Sequence, residues 1–316
     1  MLTDPYGRPV DSIRISLTQR CNLRCFYCHL EGEIPKKTIE MTPEEIQRIV
    51  NLAVSFSIRK VKLTGGEPLM RSDILEIVNM IRDSRGVEEV SMTTNGIFLA
   101  GLAEGLKKAG LTRINVSLDT LNHERFKRIT GSTGLEAVIS GIREAVKTGL
   151  CPLKVNMVLL KGVNEDEVSK MIGFTKDHGL ILQIIELESP DEDELYKRYH
   201  VDLDDVESYI KNNARTVTVR RMHHRRKYGL RNGGEIEIVR PMHNTEFCQY
   251  CNRIRVTSDG KLKPCLFRNS NLVDILGPMR EGASEETLRN LFLEAVRRRQ
   301  PYFREFPQKT QPLKLS

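Results

Sequence analysis

From residue 11 to about residue 188 the chain alternates short β-branched runs with amphipathic helical patterns, and this alternation constrains its fold most. Each run is followed by a helical segment, as in parallel strands joined by outer helices. The predicted strands are Ile13–Leu17, Ile58–Leu63, Glu89–Thr93, Arg113–Leu118, Lys154–Leu160 and Ile181–Glu188. Six such units fall short of the eight in a closed barrel, so we predict an α/β fold with an open, partial (β/α)6 TIM-like barrel.

The start of the first helix carries a clear signal. Thr42 is a good N-cap, Pro43 suits the first helical position, and Glu45 completes a capping box. Apolar residues then recur at helical spacing from Ile46 to Ala53.

The pattern changes after about residue 190, where an acidic linker, residues 190–194, begins. Beyond it we predict a short helix near Asp204–Lys211, strands at Thr216–Arg221 and Glu235–Val239, a hairpin at Val256–Lys263 and a helix near Glu285–Arg298. We therefore predict two regions, the partial barrel at residues 1–190 and a smaller C-terminal α+β region at residues 191–316 packed on it.

Composition excludes some functions. The 316 residues contain no stretch near the ~20 apolar residues that span a bilayer, and the first residues lack a secretory pattern, which predicts a soluble, cytoplasmic protein. In a reducing compartment, the seven cysteines favour metal binding over disulfides. The net charge of +7 does not require nucleic acid, because a polyphosphate ligand explains it equally well. We interpret the densest basic run, residues 220–231, as a solvated pair of strands.

Cys21, Cys25 and Cys28 follow the first predicted strand with C-x3-C-x2-C spacing. A four-iron cubane takes one cysteine per iron, so three thiolates leave one iron free for a small molecule. This triplet therefore predicts a catalytic iron–sulfur cluster rather than a simple electron carrier.

Polar groups gather where other predicted strands end. Residues 64–69 (Thr-Gly-Gly-Glu-Pro-Leu) follow the second strand, residues 93–96 (Thr-Thr-Asn-Gly) the third, and residues 117–119 (Ser-Leu-Asp) the fourth. In parallel α/β folds ligands bind at the carboxyl ends of the strands. The sequence therefore predicts one site built from these loops.

A second cysteine group comprises Cys248, Cys251 and Cys265. A structural zinc site, with His243 as the fourth ligand, and a second iron–sulfur cluster fit these residues about equally well. Cys151, which stands alone beside Pro152, is interpreted as a small buried hydrophobe.

The combined motifs resemble the radical S-adenosylmethionine (SAM) superfamily and, within it, the GTP 3′,8-cyclase family, also called molybdenum cofactor biosynthesis protein A. The resemblance covers about residues 8–300. The matching segments are residues 14–18 (Arg-Ile-Ser-Leu-Thr), the cysteine triplet, 63–71, 93–96, 115–119 and 251–266.

The resemblance implies residue roles. Cys21, Cys25 and Cys28 would hold a [4Fe–4S] cluster that cleaves SAM, and Cys248, Cys251 and Cys265 a second [4Fe–4S] cluster facing the guanine of GTP. The implied SAM contacts are Tyr27, Gly66 and Ser117. The implied GTP contacts are Arg14, Lys62, Thr93, Lys154, Arg253, Ile254 and Arg255, with Lys60 as a further candidate, and Arg253 and Arg255 join the first triplet as implied catalytic residues.

The family also implies partners: a reductant such as ferredoxin or flavodoxin, a cyclic pyranopterin monophosphate synthase that takes the product, and a possible homodimer, with no membrane or nucleic acid. Three positions depart from the family pattern. Gln183 stands where many relatives have arginine, Glu188 where methionine is common, and residues 312–316 replace a terminal Gly-Gly.

Two other functions fit parts of the sequence. Another radical SAM enzyme with an auxiliary cluster, such as a peptide-modifying enzyme, would share the first triplet but would usually carry more C-terminal cysteines. An RNA-binding protein with zinc or a cluster would use the basic run at residues 220–231, but leaves the polar strand ends unexplained.

Overall fold

A single twisted sheet organises the part of the chain described by the computed structural model, which covers residues 2–35, 40–189 and 191–303. The strands are β1 (Ser12–Ser16), β2 (Lys60–Thr64), β3 (Glu89–Thr94), β4 (Arg113–Ser117), β5 (Leu153–Val158), β6 (Ile181–Ile185), β7 (Ala214–Val219), β8 (Arg226–Leu230), β9 (Glu235–Val239), β10 (Arg253–Val256), β11 (Lys261–Lys263) and β12 (Val273–Asp274). Their spatial order is β12-β11-β10-β1-β2-β3-β4-β5-β6-β9-β8-β7.

Helices connect the strands and cover the sheet. They are α1 (Pro43–Ser55), α2 (Ile74–Asp83), α3 (Leu99–Ala109), α4 (His123–Thr130), α5 (Leu135–Lys147), α6 (Val168–Asp177), α7 (Glu194–Tyr199), α8 (Asp204–Asn213), α9 (Thr245–Gln249), α10 (Leu276–Arg280) and α11 (Glu285–Arg297). Within the described ranges, no helix is both long and apolar enough to cross a membrane.

Helix α1 shows how the local sequence sets an element. The Thr42 side chain accepts a hydrogen bond from the Glu45 amide, and the Glu45 carboxylate accepts one from the Thr42 amide, which confirms the predicted capping box. Residues Ile46, Ile49 and Val50 are fully buried. The helical spacing of these apolar side chains holds α1 against the sheet.

The six predicted strands are confirmed, but the parallel sheet is larger. Strand β9 pairs in parallel with β6, and β10 pairs in parallel with β1, so eight parallel strands run from β10 to β9 in the described sheet. The C-terminal region therefore does more than pack on the barrel. It supplies the first and the last strand of the parallel part of the sheet. The sequence predicted β9 as a strand, Glu235–Val239, but neither β9 nor β10 belongs to the regular strand–helix series, so the periodicity did not indicate their parallel pairing.

The lone cysteine was interpreted incorrectly. Cys151 is exposed rather than buried. It precedes β5 in the loop after α5, whereas the next buried apolar side chain is Leu153, inside the strand. The departure at residues 312–316 lies outside the described residues.

Candidate active site

A cavity of about 320 Å³ opens at the carboxyl-terminal end of the parallel strands. All eight parallel strands contribute side chains to it, because parallel strands have their carboxyl-terminal ends on the same side of the sheet. The contributing residues include Arg14, Lys62, Thr93, Ser117, Lys154, Gln183, Val239 and Arg255. The location agrees with the site predicted from the polar strand ends.

The first cysteine triplet lies on the loop after β1, with Cys21 and Cys28 exposed and Cys25 partly buried. The Gly-Gly turn after β2 packs directly on this loop. The amide of Gly66 donates to the Thr18 carbonyl at 2.7 Å, and a Cβ at Gly66 would collide with the Arg20 carbonyl. Only glycine fits this close approach of two backbones.

The strand-end motifs also hold one another. Buried Glu67 accepts hydrogen bonds from the Thr94 hydroxyl at 2.7 Å and from the Asn95 amide at 2.6 Å. The Asn95 side chain in turn donates to Asn22 at 2.7 Å and lies 3.8 Å from the Cys21 sulfur. Glu67 therefore positions the loop after β3 against the cysteine loop.

Tyr27 and Asp119 form a pair beside Cys25. The Tyr27 hydroxyl donates to Asp119 Oδ2 at 2.5 Å, and the Val158 amide donates to Asp119 Oδ1 at 2.8 Å. Burial raises the pKa of Asp119 to about 6, against the lowering effect of these hydrogen bonds. Tyr27 and Ser117 line both the main cavity and a smaller one of about 30 Å³ that contacts Cys25.

The second cysteine triplet faces the same cavity. Cys248 lies on α9, Cys251 follows that helix, and Cys265 follows β11; Cys248, Cys251 and Cys265 all line the opening. Burial alone would raise the pKa of Cys251, but the guanidinium groups of Arg299 and Arg8 lower it to about 7. A thiolate is the form that binds metal.

The structure gives His243 another partner. Its Nε2 lies 2.7 Å from Glu192, and the side chain is 61% exposed. Across the described ranges, no three or more His, Cys, Asp and Glu side chains converge closely enough to bind a single metal ion. In the described structure His243 is therefore engaged with Glu192.

Basic side chains crowd one wall of the cavity. Glu31 is ion-paired with Arg14 and, at 3.0 Å, with Arg255 Nη1, and it accepts from the Thr64 hydroxyl at 2.8 Å. Burial alone would raise the pKa of Glu31, but Arg14, Arg255 and nearby His29 lower it to about 2. Burial, reinforced by Arg14 and other cations, lowers the pKa of Lys62 well below its ordinary value. This wall is suited to a polyanion.

Replacing Glu31 by glutamine is expected to strengthen binding of an anionic ligand such as a nucleoside triphosphate about tenfold. In the wild-type protein the ligand must compete with the Glu31 carboxylate for Arg14 and Arg255. Titration of both proteins with GTP and with guanosine measures the effect. Guanosine affinity is expected to stay constant, and weaker GTP binding by the variant would contradict the competition.

The basic run at residues 220–231 is not the solvated pair of strands that we predicted. Only residues 226–230 form a strand, and three side chains before it, Arg220, His223 and Arg225, line the cavity. Glu237 of the neighbouring strand attracts both arginines, at 2.7 Å and 3.8 Å. A buried carboxylate on β9 thus draws these cations inward.

Profiles and relatives identify the family. The Radical SAM superfamily profile matches residues 15–175, and the Molybdenum Cofactor Synthesis C profile matches residues 180–305. The chain is 52% identical over 310 residues to a probable GTP 3′,8-cyclase of Thermococcus kodakarensis, covering 96% of this chain and 100% of the relative. It is 48% identical over 303 residues to a protein of the same name from Methanocaldococcus jannaschii, covering 96% and 99%. The chain belongs to the GTP 3′,8-cyclase family of radical SAM proteins.

Solved structures agree on the fold of this cyclase family member. Streptococcus suis SuiB bound to S-adenosylmethionine has a TM-score of 0.62 at 16% identity, with 81% of this chain and 60% of SuiB covered. Native anSMEcpe with bound AdoMet has a TM-score of 0.60 at 18% identity, with 81% and 74% covered. At these identities the likeness shows the radical SAM fold alone.

The cavity of the cyclase family member brings together most residues that the sequence analysis singled out. They are Arg14, Tyr27, Lys62, Thr93, Ser117, Lys154, Cys248, Cys251, Arg253, Arg255 and Cys265. Cys25 lines the adjoining small cavity, and Gly66 packs on the cysteine loop.

Besides Gly66, four predicted residues line neither cavity. Cys21 and Cys28 are exposed on the loop after β1. Lys60 is exposed at the start of β2, two residues before Lys62 and away from the carboxyl-terminal edge. Ile254 is fully buried in the core, so its main chain rather than its side chain is the part closest to the site.

Sequence reasoning missed several cavity-lining or supporting residues: Glu31, Arg113, Arg220, Arg225 and Glu237. Glu31 stood three positions after Cys28, which was a usable signal because it follows the cluster loop directly. Glu237 gave a weaker signal, as one acidic residue within an otherwise apolar run, Ile236–Val239. An acidic residue in such a run predicts a buried partner of opposite charge.

Proposed function

We propose that the protein is a GTP 3′,8-cyclase, a radical SAM lyase that acts in the first step of molybdenum cofactor biosynthesis. The overall reaction moves the ribose 3′ hydrogen of GTP to a 5′-deoxyadenosyl group and joins C3′ to C8, giving 3′,8-cyclo-7,8-dihydro-GTP. The observation that carries this proposal is one cavity that the second cysteine triplet, a cationic wall, and Tyr27 and His29 beside the first triplet all line, with Cys25 in an adjoining small cavity.

The first triplet fits a [4Fe–4S] cluster and SAM. Cys21, Cys25 and Cys28 supply three thiols on one short loop, as a cubane with one open iron requires. The bound cluster and SAM together supply the hydrogen-abstracting radical. Tyr27 and Ser117 line the cavity beside Cys25, and the Gly66 amide is hydrogen-bonded to Thr18, which leads into the cysteine loop. These positions support the assignment of the three residues to SAM binding.

The second triplet is proposed to hold another [4Fe–4S] cluster. Three cysteines, with no fourth ligand beside them among the residues that the structure describes, suit an open cluster better than zinc, which is usually closed by four ligands in structural sites. The cationic environment of Cys251 favours its thiolate form. Because the triplet borders the same cavity, the guanine of GTP is the proposed ligand of its open iron.

The cationic wall is proposed to bind the charged part of GTP. Arg14, Arg253 and Arg255 carry forked guanidiniums that suit phosphate oxygens, and Lys62 and Lys154 add point charges. The Nε of Arg14 is buried and has no hydrogen-bond partner among the residues that the structure describes. A ligand oxygen can accept a hydrogen bond from this donor. Thr93 and the main chain of Ile254 complete the proposed set.

The remaining assignments are also proposals. A reductant such as ferredoxin or flavodoxin would supply two electrons, one to cleave SAM into methionine and the 5′-deoxyadenosyl group and one, with a proton, to reduce the cyclised nucleotide radical. A cyclic pyranopterin monophosphate synthase would take the product. A cytoplasmic location and a homodimer remain predictions. Residues 1–190 are proposed to form the radical-generating part, and residues 191–316 the part that binds the second cluster and much of the substrate.

Anaerobic reconstitution tests the proposal. About eight irons per chain are expected for two cubanes, together with SAM cleavage that depends on GTP. Four irons with bound zinc, or SAM cleavage at the same rate with and without GTP, would refute the assignment as a cyclase. The first of these outcomes would favour a zinc-bearing alternative, and the second another radical SAM reaction.

Replacing Arg253 or Arg255 by alanine is expected to weaken GTP binding by at least about tenfold, because each loses charge-assisted hydrogen bonds to phosphate. Lys60→Ala is the control, since Lys60 is exposed and does not line the cavity. Equilibrium binding to reconstituted protein measures both. Unchanged GTP affinity in the two arginine variants would refute the proposed site.

A further inference from the structure

Three cations converge on one buried carboxylate at the side of the cavity near β5 and β9. Lys154 is ion-paired with Glu237, Arg220 Nη1 lies 2.7 Å from Oε1, and Arg225 Nη1 lies 3.8 Å from Oε2. The Glu237 side chain is only 1% exposed. We call Lys154, Arg220, Arg225 and Glu237 the β9 charge cluster.

The β9 charge cluster has an excess of positive charge. Three cations share one carboxylate, whose Oε2 also accepts a hydrogen bond from neutral Gln183 at 2.9 Å. Although burial alone would raise the pKa of Glu237, the three cations lower it to about 2. The carboxylate is therefore ionised at neutral pH. Burial also lowers the pKa of Lys154 to about 7, so between one and two positive charges remain uncompensated within the cluster.

The excess charge faces the cavity. Lys154, Arg220 and Arg225 all line it, and burial, with help from neighbouring cations, lowers the pKa of Arg225 to about 10. Arg225 Nε is buried without a hydrogen-bond partner in the described ranges. Buried guanidinium donors are rarely left unpaired unless a ligand or water completes them.

The cluster is continuous with the wall formed by Arg14, Arg253 and Arg255. Arg225 is close enough to Arg253 to lower its pKa, after the larger effect of burial and of two nearer arginines. A ligand with several negative charges can therefore contact both groups at once. A nucleoside alone offers no charge that matches them.

We propose that Arg220 and Arg225 bind the phosphates of the nucleotide, and that Glu237 is a positioning residue that holds both guanidiniums at the cavity. This inference rests on the proposed function for the identity of the nucleotide. It assigns a binding role to the part of the basic run that Glu237 draws inward.

The test uses reconstituted holoenzyme and the single variants Arg220→Met and Arg225→Met. Binding of GTP, GDP, GMP and guanosine is measured, with inorganic triphosphate as a competitor. Each variant is expected to lose about 10- to 100-fold in GTP affinity, with a loss that shrinks as phosphates are removed. Guanosine affinity is expected to remain within about twofold of wild type.

Arg226→Met is the matched control. Arg226 belongs to the same basic run but pairs with Glu207 and is 57% exposed, outside the cavity. It is expected to leave GTP affinity unchanged. Arg220→Lys and Arg225→Lys, which keep the charge, are expected to recover part of the lost affinity.

The outcomes separate this inference from the cyclase itself. Equal losses for GTP and guanosine, or no loss for GTP, would overturn the role of Arg220 and Arg225. A phosphate-dependent loss in a protein whose SAM cleavage ignores GTP would support the phosphate site and refute the cyclase. Failure of the wild-type protein to bind any nucleotide would overturn both.

Discussion

Replacing Glu237 by glutamine is expected to lower the free energy of unfolding by about 3–5 kcal/mol, the usual cost of removing one partner from a buried ion pair. The substitution leaves Lys154, Arg220 and Arg225 near one another without their common anion. Chemical denaturation at neutral pH measures the loss. A change below about 1 kcal/mol would mean that solvent already screens the cluster.

The effect has a defined pH dependence. The folded pKa of Glu237 is about 2, below the ordinary 4.5, so its stabilising contribution is fully present above pH 4.5 and is lost as the pH falls toward 2. The difference between wild type and variant is therefore expected to shrink over that acid range. A difference that grows on acidification would contradict the assignment.

A matched control lies on the same strand. Glu235 is two residues away and pairs with Lys227 at 2.6 Å, but its side chain is 47% exposed. Glu235→Gln is expected to cost less than about 1 kcal/mol, as is typical of surface ion pairs.

Replacing Cys265 by serine is expected to remove about four of the eight irons and to abolish formation of the cyclised nucleotide. The first triplet is untouched, so SAM binding and slow, uncoupled SAM cleavage are expected to remain. Cys28→Ser is expected to show the complementary loss, with no SAM cleavage. Iron analysis, electron paramagnetic resonance and product assay measure these effects.

Cys151→Ser is the control for both variants. Cys151 is exposed and belongs to neither triplet, so iron content and product formation are expected to match wild type. Retention of all iron in Cys265→Ser would show that this thiol is not a ligand. If the Cys265→Ser variant lost bound zinc rather than iron, the result would support a zinc site at the second triplet.

The sequence predicted the centre of the fold better than its edges. Strands β1 to β6 were recognisable because each is an apolar run followed by a helix. Strand β9 was recognisable as a strand, but only tertiary contact shows that β9 joins β6, and β10 joins β1, in parallel. Pairing between segments so distant in sequence leaves little local pattern.

The site residues that belong to short sequence motifs could be predicted from the sequence. The acidic residues that pair with cations in the site could not. Cys28, Gly66 and Ser117 belong to short segments whose spacing carries the chemistry. Glu31 and Glu237 act through cations that lie far away in sequence, so their roles appear only in the folded chain. Lys60 was singled out by its charge alone, and the structure places it exposed and outside the cavity lining.

The adjacency of β1 and β10 fixes the separation of the two reactive halves of the site. Arg14 is directly opposite Arg255 in this parallel pair; the first cysteine loop leaves the end of β1, and the second triplet flanks β10. Main-chain hydrogen bonds between these two strands therefore set the spacing between the two cysteine triplets. The connection between β7 and β8, which carries Arg220 and Arg225, lies outside this strand pair, so changes there are expected to alter the cationic lining of the cavity without altering that spacing.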